Sequence, residues 1–151
     1  MTDQPPLADE RDKPLGADAW EVLDYRVAIE TGATLLASER AAADDLDRLD
    51  EVVERMLEVH DFEVYRRADI RFHIGLAEAA GSPRLVSAMT EVQGRMSELI
   101  TRIAHPPEVL THANEQHRRL VSLLRRRDAI KAVSLAREHM EGTEHILAGL
   151  L

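Results

Sequence analysis

The sequence predicts an all-α fold, an antiparallel bundle of helices, and three observations point there. Aromatic residues make up only 3% of the chain while Ala, Leu, Glu and Arg abound, a composition that favours helix over sheet. Apolar residues recur at helical spacing in six successive stretches. Sharp breaks separate the stretches, above all Gly81-Ser82-Pro83 and His105-Pro106-Pro107.

At 151 residues, 44% hydrophobic and 31% charged, the chain is long enough for one domain with a real core. Its formal net charge of -9 makes it a poor nucleic-acid binder on its own, because phosphate contact needs a basic surface. With no cysteine there is no disulfide framework and no thiolate zinc site, so any metal must take N and O ligands. No 18-residue apolar run occurs, and the opening MTDQPPLADERDKPLG is unlike a signal peptide. The expected location is the cytoplasm.

Residues 1–17 hold three of the six prolines and several charges, and read as a flexible arm or linker. The first helix is expected over about 17–39, with Trp20, Leu23, Val27, Ala33 and Leu36 as its apolar stripe. Arg26 and Glu30 lie on or beside that stripe, four apart. The spacing favours a surface ion pair over an arginine aimed into the bundle at an anionic ligand. The second helix starts near Asp44 or Asp45, either a good N-cap, and runs to about Val59. Leu46, Leu49, Val52, Val53 and Met56 form its stripe. The third, about 61–80, turns Tyr65, Ala68, Asp69, Phe72, His73 and Leu76 inward. Gly81 ends it; Ser82 caps the fourth, with Pro83 at its first position, and that helix continues to about Ala104. The fifth spans about 107–126, with Val109, Leu110, Ala113, His117, Leu120, Val121 and Leu124 on one face. The sixth spans about 129–147, with Ala132, Leu135, Ala136, His139, Met140 and Ile146 inward.

Four polar residues on these inward faces need a reason to be there. Asp69 and His73 are four apart and share one helix face. His117 and His139 are 22 residues apart about a midpoint at Asp128, in the turn between the last two helices. At about 1.5 Å per residue each stands roughly 16 Å along its helix, so an antiparallel pair sets them side by side. One carboxylate and three imidazoles converging in a bundle suit a divalent metal. The blander reading satisfies each by hydrogen bonds or by a core arginine, since a buried unpaired carboxylate is very costly. Folding back at residue 81 brings Gln93 to the level of Asp69 and His73, as a candidate ligand contact. His60, His105, His112 and His145 fall at helix ends or on other faces and are expected at the surface. No glycine-rich phosphate loop, Gly-x-Ser-x-Gly elbow, His-Glu-x-x-His or Glu-x-x-His is present.

The stretch Val22-Leu23-Asp24-Tyr25-Arg26-Val27-Ala28-Ile29-Glu30 resembles the opening of the FCD domain, the effector-binding domain of FadR-type GntR-family transcription regulators. Asp69-Ile70-Arg71-Phe72-His73 resembles that family's Asp-x-x-Phe-His element. Glu115-Gln116-His117, with Asp128, Ala132 and His139-Met140, resembles its closing helical pair. The resemblance covers about residues 18–148; the elements are specific together and not singly. It implies a bundle of six or seven helices, a dimer, and a metal, often zinc, on Asp69, His73, His117 and His139. It further implies a small carboxylate beside the metal, with Arg26 matching an arginine that helps hold it. The chain departs from such regulators in having a short polar arm where they carry a winged helix-turn-helix, so DNA contact is expected only through a domain absent from this chain. Ser82 stands where the family often has asparagine.

Three functions compete on these residues. A sensor would hold a carboxylate effector on the metal and Arg26. A mononuclear metalloenzyme would use the same ligands to activate water, although no general base is evident beside them. A plain structural bundle would bind no metal at all.

Overall fold

The computed structural model describes residues 16–59 and 61–148. Among them are six helices and no strand: α1 (Ala17–Arg40), α2 (Ala43–Leu57), α3 (Phe62–Ala79), α4 (Pro83–Ile100), α5 (Pro107–Arg125) and α6 (Ala129–Ala148). No described helix is long and apolar enough to cross a membrane. The expected arm over 1–17 lies outside the described residues except for Gly16, which caps α1, and Ala17, which begins it.

Short connections fold α2 on α3, α3 on α4 and α5 on α6 as antiparallel pairs. Helix α1 runs through the middle and packs against α3, α4, α5 and α6. That placement corrects the reading of its faces. The buried side is Ala19, Leu23, Arg26, Glu30, Ala33, Thr34 and Ala37, whereas Trp20, expected inside, is 36% exposed. The buried face of α1 meets four helices at once and carries no single apolar stripe. Its small residues Ala33 and Ala37 let neighbours approach, and its charges meet partners inside.

Caps set the helix starts. Asp61 Oδ1 accepts from Glu63 N (2.8 Å) and Val64 N (3.3 Å) to open α3, and Ser82 Oγ accepts from Leu85 N (3.4 Å) ahead of Pro83. Helix α2 starts earlier than expected, with Ala42 as N-cap. Asp45 instead reaches back from the first turn and accepts from Ala42 N at 3.0 Å, half of a capping box. Helix α4 stops at Ile100 rather than near Ala104, where the chain tightens into three-residue turns, Arg102 N donating to Leu99 O (3.0 Å) and Ile103 N to Ile100 O (3.2 Å). Gly81 takes φ +70 between α3 and α4, a left-handed conformation glycine adopts without cost.

The main core lies between α2, α3 and α5: Leu46, Leu49, Val53, Met56, Phe72, Leu76, Val121 and Leu124 are all buried. Smaller clusters join α1 to α4 and α6 through Leu23, Met96 and Leu147, and α1 to α3 and α4 through Ala33, Ala77 and Met89. On α6, Leu147 is the buried residue and Ile146 is 39% exposed, one position off the expected stripe.

Candidate metal centre

Helix α3 contributes Asp69 and His73, α5 contributes His117, and α6 contributes His139. One nitrogen or oxygen from each lies within 4.8 Å of all the others. Asp69 Oδ1 is 3.2 Å from His73 Nε2 and 3.2 Å from His117 Nε2, and His117 Nε2 is 3.2 Å from His139 Nε2. Bonds of about 2.0–2.2 Å to a shared ion would set neighbouring ligands roughly 3.0–3.4 Å apart, so the spacing fits.

The far side of each ring fixes which nitrogen faces inward. His139 Nδ1 lies 2.8 Å from Gln116 Oε1, His117 Nδ1 3.4 Å from Asn114 Oδ1, and His73 Nδ1 against Glu30 Oε1. Asn114 Nδ2 donates to Val53 O at 3.2 Å, which orients that amide with its oxygen toward His117. Each Nδ1 faces an acceptor and donates outward, so the Nε2 atoms of His117 and His139 present lone pairs and that of His73 joins them once its second proton is displaced, the arrangement of histidine ligands supported by outer hydrogen bonds. His73 is buried between the two carboxylates, Nδ1 against Glu30 and Nε2 toward Asp69. Phe72 packs edge-on to His73, with ring centres 5.6 Å apart, and tilted against His117 at 4.5 Å.

Burial alone would push the His73 imidazolium down, but Glu30 and Asp69 on either side raise it to about 9. Burial raises the Asp69 carboxyl, yet His73, His117 and Arg66 together hold it well below the usual range. His139 is pushed well down by burial and by the neighbouring rings of His117 and His73, and burial lowers His117 as well. Two carboxylates and two neutral imidazoles around His73 thus make a place that attracts positive charge.

Arg26 and Glu30 correct the sequence reading most. Both are almost wholly buried, at 3% and 2% exposure, and Arg26 Nε donates to Glu30 Oε2 at 2.6 Å. The pair forms, but inside the bundle, because it stands on the face of α1 that packs against the other helices. Burial raises the Glu30 carboxyl, and His73 and Arg26 overcome that and hold it far down. Arg26 Nη1 has no partner. Arg26 lines a cavity of about 70 Å³ together with Asp69, His139, Arg66 and apolar residues such as Ile100, Ile103 and Ala113. Gln93 is buried beside Glu30, with Nε2 3.4 Å from Glu30 Oε1, and does not line that cavity.

Several residues of the site escaped the sequence reading. Arg66 donates to Asp69 Oδ2 (2.6 Å), Gln93 O (2.9 Å) and Ser97 Oγ (3.3 Å), the core arginine that a buried aspartate calls for. Its three-residue spacing from Asp69 was the available signal. Gln116 and Asn114 sit one and three residues before His117, but nothing in their spacing marks an outer role. His105, expected at the surface, is half-buried: its ring stacks on Phe62 at 3.5 Å, and Nε2 lies 2.9 Å from Ile100 O. His112 and His145 are exposed as expected, and His60 lies outside the described residues.

Comparisons with known proteins agree with this architecture. The sequence profile of the FCD domain matches residues 21–142. The chain is 33% identical over 128 residues to the putative HTH-type transcriptional regulator RmpR of Mycobacterium gastri, covering 80% of this chain and 44% of that one. It is 25% identical over 138 residues to the HTH-type transcriptional regulator LutR of Bacillus subtilis, covering 87% and 63%. It is 26% identical over 126 residues to the putative L-lactate dehydrogenase operon regulatory protein of Escherichia coli, covering 81% and 48%. The chain thus spans about half the length of the curated relatives it matches. The fold is that of the solved E. coli McbR/YncC, with a TM-score of 0.79 at 21% identity over 90% of this chain and 71% of that one.

Proposed function

This chain belongs to the FCD domain family, the regulatory domain of GntR-type transcription regulators, and from that premise we propose that residues 18–151 sense a small carboxylate metabolite through a bound divalent metal, zinc. Asp69, His73, His117 and His139 hold the ion. The observation that carries the reading is the set of three rings whose outer nitrogens face acceptors, so that three Nε2 atoms and Asp69 Oδ1 converge. With N and O ligands and no cysteine, a borderline ion such as zinc suits the set. When bound, the ion supplies positive charge and open positions that a carboxylate can fill.

The chain's own residues do the rest. Arg26, fixed by Glu30 through Nε and lining the cavity with Nη1 unpartnered, adds a charge-assisted bond to the effector. Gln93 acts through Glu30, whose carboxylate it helps to place. Arg66 holds Asp69 in position and shields its second oxygen. The name of the E. coli relative points to an L-lactate dehydrogenase operon, and a 2-hydroxy acid, able to chelate through two oxygens, is the effector chemistry this site favours.

Effector capture reaches DNA through a winged helix-turn-helix acting with this domain, and the bundle works as a cytoplasmic homodimer. Tyr25 and Leu35, both exposed on α1, support pairing through that helix. The test is thermal melting of chelator-treated and zinc-loaded protein against a panel of small carboxylates. Zinc should raise the midpoint, and a 2-hydroxy acid should raise it further only in the loaded protein. A melt indifferent to zinc and to every acid would return the bundle to a purely structural role.

A further inference from the structure

We propose that the apolar cavity next to the effector site is a second compartment of the same pocket, and that it takes the hydrocarbon tail of a 2-hydroxy monocarboxylate. This rests on the carboxylate-sensing reading above. The compartment beside the metal ligands, at about 70 Å³, has room for roughly two waters and so for little more than a chelating head group. A larger cavity of about 240 Å³ lies against it, between the end of α2 and the starts of α3 and α5. Together the two reach the lower edge of the range for small-molecule sites, roughly 300 Å³.

The wall between them consists of side chains. Phe62, Tyr65, His105 and Leu110 line both cavities. The Phe62–His105 stack is held at the His105 end by one ring-to-carbonyl contact, to Ile100 O at 2.9 Å. The Tyr65 hydroxyl reaches Leu110 O only at 3.5 Å. Rotation of these rings joins the compartments without moving a helix.

Charge decides the ligand class. At the head end, Arg26 lines the compartment with its Nη1 unpartnered, while all three nitrogens of Arg66 are engaged. In the larger cavity no lysine or arginine is present among the described lining residues. Its polar groups already have partners: Thr111 Oγ1 donates to Pro107 O, and Asn114 spans Val53 O and His117. Met56, Val59 and Leu110 supply the apolar surface. A second carboxylate placed there would lose its water and gain no counter-charge. A methylene chain would lose only unfavourable hydration.

The experiment titrates zinc-loaded protein by calorimetry with 2-hydroxypropanoate, 2-hydroxybutanoate, 2-hydroxyhexanoate, 2-hydroxyoctanoate and 2-hydroxybutanedioate. Affinity should rise about threefold to fourfold per added methylene across the monoacids. The diacid should bind more weakly than the monoacid of equal length. Thr111→Trp, which fills the larger cavity from an exposed position, should remove the chain-length gain and leave 2-hydroxypropanoate unaffected. Leu57→Asp, at the mouth of that cavity, should do the same and serves if the first variant fails to fold. Short acids that bind with no gain from added carbons, or a gain that survives both variants, overturns the tail compartment alone. Binding by none of the acids overturns the carboxylate reading and this inference with it.

Discussion

Replacing Glu30 by glutamine separates a buried electrostatic core from an ordinary helix-surface pair. Glu30 touches three groups: Arg26 Nε at 2.6 Å, His73 Nδ1, and Gln93 Nε2 at 3.4 Å. Were the Arg26–Glu30 pair exposed, its loss would cost about 0.3–0.5 kcal/mol. Buried as it is, neutralising Glu30 strands a guanidinium whose Nη1 already lacks a partner. Breaking such a pair costs about 3–5 kcal/mol. Glutamine keeps the shape and an acceptor oxygen, so the lower end, about 3 kcal/mol, is expected. For a chain of this length that is a fall in Tm of roughly 6–12 °C. The variant also weakens the acceptor that orients His73, and should lower zinc affinity about 10- to 100-fold. Urea unfolding of chelator-treated protein followed by circular dichroism measures the first effect, and competition against a zinc indicator the second. A loss under about 1 kcal/mol with unchanged zinc affinity would refute the reasoning.

Other predictions follow from the same contacts. Gln116→Leu removes the acceptor 2.8 Å from His139 Nδ1 and should weaken zinc binding about 10- to 100-fold while the circular dichroism spectrum stays that of the parent. Arg127 sits at φ 57 and donates to Ser38 O (3.1 Å) and Ala41 O (2.5 Å), closing the end of α1. Arg127→Ala should cost about 1–3 kcal/mol, and Arg127→Gly should recover about 1 kcal/mol of that by relieving the left-handed backbone. In zinc-free protein the proton on His73, held up to about 9, stabilises the fold fully below about pH 6.5. That contribution is lost as pH rises toward 9. Asp69, held low, contributes above about pH 4 and loses its contribution as pH falls. Melting of chelated protein should therefore weaken from pH 6.5 to 9, and a midpoint that rises over that interval would contradict the charges assigned to His73.

How much was legible in advance follows from the range of each interaction. The six described helices, the Ser82 cap and the α2 stripe depend on residues within a turn of one another, and they stand where spacing puts them. The convergence of His117 and His139 was readable because a short turn at Asp128 makes their heights a matter of counting. Asp69 and His73 share a face for the same local reason. The surroundings of the quartet were not readable in this way. Glu30 reaches His73 across 43 residues, and Arg66 reaches Gln93 across 27, so neither contact has a local period. The buried face of α1 carries charge because it meets four helices, a packing that no local apolar period announces. His105 stands at a helix end, which predicts exposure, yet the proline-rich connector folds it back onto Phe62.

The central claim is tested most directly by diffraction from crystals of zinc-loaded protein at the zinc absorption edge. The account predicts one anomalous peak per chain at about 2.0–2.2 Å from Asp69 Oδ1 and the Nε2 atoms of His73, His117 and His139. An empty centre in that map, or a peak bound by other residues, would contradict it.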